Sequence, residues 1–185
     1  MIGESGWPCQ LGFVVADIEA SMDHWINALG AGPFVYVPEI IGTSFLYRDE
    51  PTDLDMAVAL GYIGDTQIEL IQQRNSAPSP YQDFLRSGAT GVQHIGFWSA
   101  EPVAAGKKLL MEGYRRVFIG NLPGAEAGSI YYESPVGGMP MIEVSAATPQ
   151  KLKAYHGLQM RARTGTGAQP VRTYPSFNDF LADAT

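Results

Sequence analysis

The chain has 185 residues, 45% hydrophobic and 17% charged, with a formal net charge of −7. That length suits one domain or two small modules sharing a core, and the acidic balance argues against nucleic acid as a partner, since phosphate binding needs clustered cations. No apolar run approaches the roughly 20 residues of a membrane-spanning helix, so no membrane partner is expected. The N-terminus lacks the basic-then-apolar start of a signal peptide. With Cys9 as the lone cysteine, no intrachain disulfide can form, which fits a reducing, cytoplasmic compartment.

Pro8 to Val15 reads as a first strand. Asp17 is a good N-cap for the helix that follows, in which Ile18, Met22, Trp25, Ile26 and Leu29 recur on one side. Gly30 ends it as a left-handed C-cap, and His24, off that apolar stripe, reads as an exposed helix histidine. Pro33 to Val37 is a second strand, Thr43 to Tyr47 a third, and Asp49 to Asp53 a polar turn. Met56 to Ile63 and Thr66 to Gln72 flank the tight Gly64-Asp65 turn as a hairpin. These elements make a first module of about residues 8–73: strand, helix, then three or four strands. Residues 74–90 form a linker with a short helix from Pro80 to Leu85.

A second module, about 91–147, repeats the order. Gln10-Leu-Gly-Phe13 recurs as His94-Ile-Gly-Phe97. The helix from Pro102 to Glu112 ends at Gly113 as the first ends at Gly30. Strands follow at Tyr114 to Ile119, Ser129 to Glu133 and Pro140 to Ser145, the last after a Pro135-Val-Gly-Gly138 hairpin, and Ile68-Glu-Leu70 recurs as Ile142-Glu-Val144. Residues 148–185 stand outside the repeat as a helical extension: a helix from Pro149 to Arg163, a Gly/Thr linker, and a short helix from Ser176 to Ala184. We read this tail as packing on the domain or on a partner subunit, in preference to a lid over the pocket.

Four strands share a pattern. Gln10 precedes Leu11, Glu69 sits between Ile68 and Leu70, His94 precedes Ile95, and Glu143 sits between Ile142 and Val144. Alternate side chains of a strand take opposite faces, so the apolar neighbours claim the core and the polar residue faces away. If that second face is also enclosed, an unpaired carboxylate there costs several kcal/mol or stays protonated. Convergence on a divalent metal resolves this, because carboxylate and amide oxygens suit Mg, Mn or Co and the imidazole suits Zn or Ni. The ordinary alternatives are that Glu69 and Glu143 pair with Arg48 or Arg74, that His94 is a hydrogen-bonded core histidine, and that Gln10 is unremarkable. Trp98, Tyr131, Tyr132 and Met141 are candidates for lining a pocket, or for plain core.

Two tandem βαβββ units with a polar residue in each first and last strand resemble the vicinal oxygen chelate (VOC) superfamily, which includes glyoxalase I, methylmalonyl-CoA epimerase, extradiol dioxygenases and bleomycin-resistance proteins. The resemblance covers about residues 8–146. It implies an α+β fold: two βαβββ modules forming a cupped, partly open mixed β-sheet barrel, plus the helical C-terminal tail. Carried over by position, it implies a metal set of Gln10, Glu69, His94 and Glu143 around one divalent ion, with Glu143 as first choice of base and Glu69 as its partner or a ligand. The set is similar to that of some glyoxalase I enzymes, whereas the strand wording is closer to the epimerases. Extradiol dioxygenases hold iron with two histidines and a carboxylate, and only His94 stands at a ligand position here.

The implied activity is proton abstraction next to a carbonyl through an enediolate on a divalent metal, as in a glyoxalase-like lyase or an epimerase, acting on a small-molecule substrate in a homodimer. The alternative is a metal-free binding protein of the bleomycin-resistance type, against which the presence of all four potential ligands argues. A glutathione or CoA thioester would need a cationic anchor at the rim, for which Arg48, Arg74, Arg115 and Arg116 are candidates.

Overall fold

The structure is a computed structural model that describes residues 8–40, 44–121, 128–165 and 169–183. In chain order its elements are β1 (Gln10–Val14), α1 (Ile18–Leu29), β2 (Phe34–Val37), β3 (Ser44–Tyr47), β4 (Glu50–Thr52), β5 (Met56–Ile63), β6 (Thr66–Gln73), α2 (Pro80–Arg86), β7 (Val92–Ser99), α3 (Pro102–Met111), β8 (Arg115–Asn121), β9 (Ser129–Glu133), β10 (Met141–Ala146), α4 (Pro149–Thr164), β11 (Val171–Thr173) and α5 (Phe177–Asp183). Helix starts follow local chemistry. Asp17 accepts from the Ala20 amide at 2.9 Å and Thr148 from the Lys151 amide at 3.2 Å, which satisfies amides that a helix leaves without partners.

Among the described residues one mixed sheet runs β11-β2-β5-β6-β1-β7-β10-β9-β8-β3-β4. Each module keeps its first and last strands side by side and parallel, β1 with β6 and β7 with β10. The modules meet where β1 and β7 pair antiparallel. The curled sheet with its helices is the expected fold.

The β3–β4 hairpin departs from expectation. Read as part of the first module, it instead pairs with β8 of the second, Leu46 opposite Ile119 and Tyr47 opposite Phe118. Two physical reasons are visible. The free edge of β2 is taken by β11, which the linker-like sequence around it did not suggest, and Phe45 stacks on Phe118 with ring centroids 5.7 Å apart. The expected polar turn at Asp49 to Asp53 contains β4. Arg48 and Asp49, at φ 53° and 68°, make the tight left-handed turn between the two strands.

The outer face is covered by α1 and α3. Ile18 and Met22 pack on Phe34, Ile68 and Leu70, while Ala105 and Leu109 pack on Ile130, Tyr132 and Val144. The concave face is filled by the tail. Ala154, Tyr155 and Leu158 of α4 and Phe180 and Leu181 of α5 are buried with Val35, Val58, Leu60, Ile71 and Phe118 of the strands. Of the two places expected for the tail, its own domain is the one seen, and it lies inside the cup. No helix among the described residues is long and apolar enough to cross a membrane.

Candidate metal centre

The central strands β6, β1, β7 and β10 set the site by register. Gly12 stands between Glu69 on β6 and His94 on β7; Gly96 stands between Gln10 on β1 and Glu143 on β10. A Cβ on Gly12 would lie 1.8 Å from His94 Cε1, and one on Gly96 would lie 2.6 Å from Gln10 Oε1. The glycine in each repeated motif is therefore the space that the other module's polar side chain occupies.

His94 Nε2 lies 3.0 Å from Glu69 Oε2 and 3.1 Å from Glu143 Oε2, and the three ligand atoms all lie within 4.8 Å of one another. Glu69 Oε2, His94 Nε2, Glu143 Oε2 and Gln10 Oε1 are buried, and none has a hydrogen-bond partner. The two imidazole–carboxylate contacts are thus close enough for ion pairing but lack the alignment of hydrogen bonds. Orphaned buried polar atoms are rare and each calls for an explanation. Here two carboxylate oxygens and one imidazole nitrogen form a group without hydrogen bonds, the arrangement that a cation completes, and Gln10 Oε1 is a fourth such atom on the strand position across Gly96 from Glu143. Glu69, His94 and Glu143 could hold a metal ion.

Neighbouring groups fix these side chains. His94 Nδ1 lies 2.7 Å from Gln93 Oε1, so Nδ1 donates its proton there and Nε2 is the nitrogen turned toward the two carboxylates. Gln10 donates through Nε2 to Gln67 Oε1 at 2.8 Å, and Gln67 donates to the Tyr62 hydroxyl at 3.1 Å, which leaves Gln10 Oε1 free for the site. Ser129 donates to Glu143 Oε1 at 2.6 Å. The Tyr131 ring lies 4.8 Å from the His94 ring, centroid to centroid.

The charges are strongly coupled. Burial alone would depress the His94 pKa, but Glu143 and Glu69 overcome it and push it up to about 9. Burial raises Glu69, reinforced by the charge of Glu143 and only partly relieved by His94. Burial would raise Glu143 too, yet His94, Lys151 and Ser129 together bring it below the usual carboxylate value.

The site opens on a cavity of about 150 Å³ whose lining includes Gln10, Glu69, Glu143, Tyr131, Lys151 and Tyr155. Of the expected lining residues, Tyr131 faces this cavity. Trp98 and Met141 are half-buried against the interior core, and Tyr132 lies on the outer face under α3. Arg48 and Arg74, offered as partners for the glutamates, pair instead with Asp83 and Asp55, and the other two candidate rim anchors, Arg115 and Arg116, pair with Glu133 and Asp49. His24 and His156 are exposed and outside the site.

Sequence reasoning missed Gln93, Gln67, Ser129 and Lys151. Gln93 escapes alternation because β7 carries a bulge: Gly12 pairs with His94 but Phe13 with Val92, so Gln93 is the extra residue and turns inward beside His94. Ser129 and Gln67 were in principle legible, since Ser129 precedes Ile130 as Glu143 follows Ile142, and Gln67 sits two residues before Glu69 on the same face.

The model of the glyoxalase/bleomycin resistance protein/dioxygenase superfamily matches residues 9–132. The chain belongs to this superfamily. Among solved structures, this superfamily member is similar to methylmalonyl-CoA epimerase from Mycobacterium tuberculosis, at 22% identity and TM-score 0.54 over 78% of this chain and 90% of that one. It is similar to the hypothetical protein BH1468 from Bacillus halodurans C-125, at 16% identity and TM-score 0.52 over 77% and 94%. A variant of 4-hydroxymandelate synthase from Streptomyces coelicolor matches at 11% identity and TM-score 0.51, over 76% of this chain and 38% of that one. At these identities the likeness is one of fold. A comparison with curated proteins gave no match.

Proposed function

We propose that this VOC-superfamily member is a divalent-metal-dependent enzyme that removes a proton from carbon next to a carbonyl, as a glyoxalase-like lyase or an epimerase does. The observation that carries the reading is the group of four orphaned atoms, Gln10 Oε1, Glu69 Oε2, His94 Nε2 and Glu143 Oε2, buried and without partners. These four residues would hold the ion. Two anionic and two neutral ligands make a formally neutral site with a divalent cation, the oxygens suiting Mg, Mn or Co and the imidazole nitrogen Zn or Ni. A bound ion would polarise the substrate carbonyl and stabilise the negative charge that develops on its oxygen.

The chain's own groups supply the rest. We assign the base to Glu69 in preference to Glu143. Ser129 holds one oxygen of Glu143 at 2.6 Å, whereas Glu69 has the more open side chain, 15% exposed against 6%. That greater opening leaves Glu69 the carboxylate better placed to reach the proton of a bound substrate, the geometric condition for a base. Gln93 fixes the orientation of the His94 ring, and apolar walls such as Ile40, Val58 and Phe118 flank the cavity in which the reacting carbon would sit. Following the resemblance, the working unit is taken as a cytoplasmic homodimer, which light scattering of the purified protein tests.

The test is metal analysis of protein purified without chelator, combined with solvent deuterium exchange into 2-oxo hemithioacetals and acyl-CoA thioesters. One ion per chain is expected. Glu69→Gln is expected to lose exchange by at least about 100-fold while remaining folded. Exchange at the wild-type rate in that variant would refute the assignment. A second reading, a metal-free binder, draws on the mostly apolar lining of the cavity. It predicts no bound metal and ligand affinity indifferent to EDTA, and it leaves the four orphaned atoms unexplained.

A further inference from the structure

Among the described residues Lys151 is the cation that lines the cavity, and nothing in the family resemblance assigns it a role; it lies on α4, beyond the matched residues 9–132. Among the described residues, its Nζ donates to Ser145 Oγ at 2.8 Å and sits 5.9 Å and 5.4 Å from the ring centroids of Trp98 and Tyr155. Those contacts aim the amine and hold its charge, but the one hydrogen bond uses one of three N–H donors. No carboxylate forms an ion pair with it among the described residues. Burial lowers its pKa, and the charges of Glu143 and Glu69 work against that fall.

The charge count then points to a ligand. With a metal in place His94 is neutral, the ion balances Glu69 and Glu143, and Lys151 is left as uncompensated positive charge in a mostly apolar chamber. Uncompensated charge in such surroundings is costly unless a partner arrives. The cavity of about 150 Å³ admits a small molecule or the reacting end of a larger one, and walls such as Ile40, Val58, Phe118 and Leu181 favour an apolar body.

We propose that the substrate is a small monoanionic carbonyl compound whose carboxylate binds Lys151 while its carbonyl faces the Gln10, Glu69, His94 and Glu143 cluster. This rests on the metal-dependent reading above and adds the substrate class to it.

Levulinate is the probe, with its neutral isostere levulinamide as the control, and binding is followed calorimetrically and by Trp98 fluorescence, with metal content measured on the same samples. Wild-type protein is expected to bind levulinate roughly 10- to 100-fold tighter than the amide, the range of a charge-assisted hydrogen bond. Lys151→Met should erase that preference while leaving amide affinity and metal content unchanged. Lys151→Arg, which keeps the charge, should restore part of it. Equal binding of acid and amide by wild-type protein, no levulinate binding at millimolar concentration, or a preference that survives Lys151→Met overturns the proposal. Wild-type protein that carries no metal when purified without chelator, yet prefers levulinate, counts against the catalytic reading and leaves the Lys151 anchor standing.

Discussion

A methyl group on Gly12 would overlap the His94 ring, with its carbon 1.8 Å from Cε1 and 2.3 Å from Nε2. The ring is fully buried against Tyr131 and tied to Gln93, so it has no free direction in which to retreat. Gly12→Ala is therefore expected to weaken metal binding by about 10- to 100-fold, as the loss of an orienting neighbour does, and to cost about 1–3 kcal/mol of stability through overpacking. Metal titration and denaturant melts of the same variant measure both, and unchanged affinity would show that the ring is not held where Gly12 makes room for it. The four polar residues were legible because each breaks an apolar strand at a matching place. Gly12 and Gly96 were legible only as a repeat, since their reason lies in the neighbouring strand. Gln93 and Lys151 were not legible: a bulge reverses the face of the first, and a lysine on a polar helix that also carries Lys153 bears no mark that it turns inward.

The elements repeat that division. Strands, caps and helices read directly from alternation, helical spacing and end signals, because those depend on residues near in sequence. The partner strand of the β3–β4 hairpin and the place of α4 and α5 depend on which surfaces remain open after the two modules join, and no local signal records that. The consequence for α4 is energetic. Leu158 is 1% exposed in the concave core, whereas Leu152 on the same helix is 38% exposed. Leu158→Ala is expected to cost about 2–5 kcal/mol, while Leu152→Ala should stay within about 0.5 kcal/mol. Equal small losses by chemical denaturation would mean that α4 is not part of the cooperative core. Because Tyr155 lies on the same helix and in the cavity wall, loosening α4 should also weaken ligand binding.

At the scale of the molecule, the enclosed cup makes metal and proton competitors for one place. Without metal the two carboxylates hold the His94 imidazole in its charged form, with its pKa pushed up to about 9 despite burial. A metal needs the Nε2 lone pair, so loading at neutral pH must expel that proton. The folded-state value lies above the ordinary 6.5, so the proton stabilises the metal-free fold fully below about pH 6.5, and that contribution is lost as pH rises through about 9. Metal affinity must run the other way. Between pH 7 and 9 the apparent association constant should rise about tenfold per pH unit and level off above about 9. Calorimetry in buffers of different ionisation enthalpy should register close to one proton released per ion at pH 7. Binding that is independent of pH from 7 to 9, with no buffer-dependent heat, would mean that His94 meets the metal already neutral and that the carboxylates are not holding its proton. Glu69, also raised, adds proton release in the same sense toward acid pH, so the dependence steepens rather than cancels there.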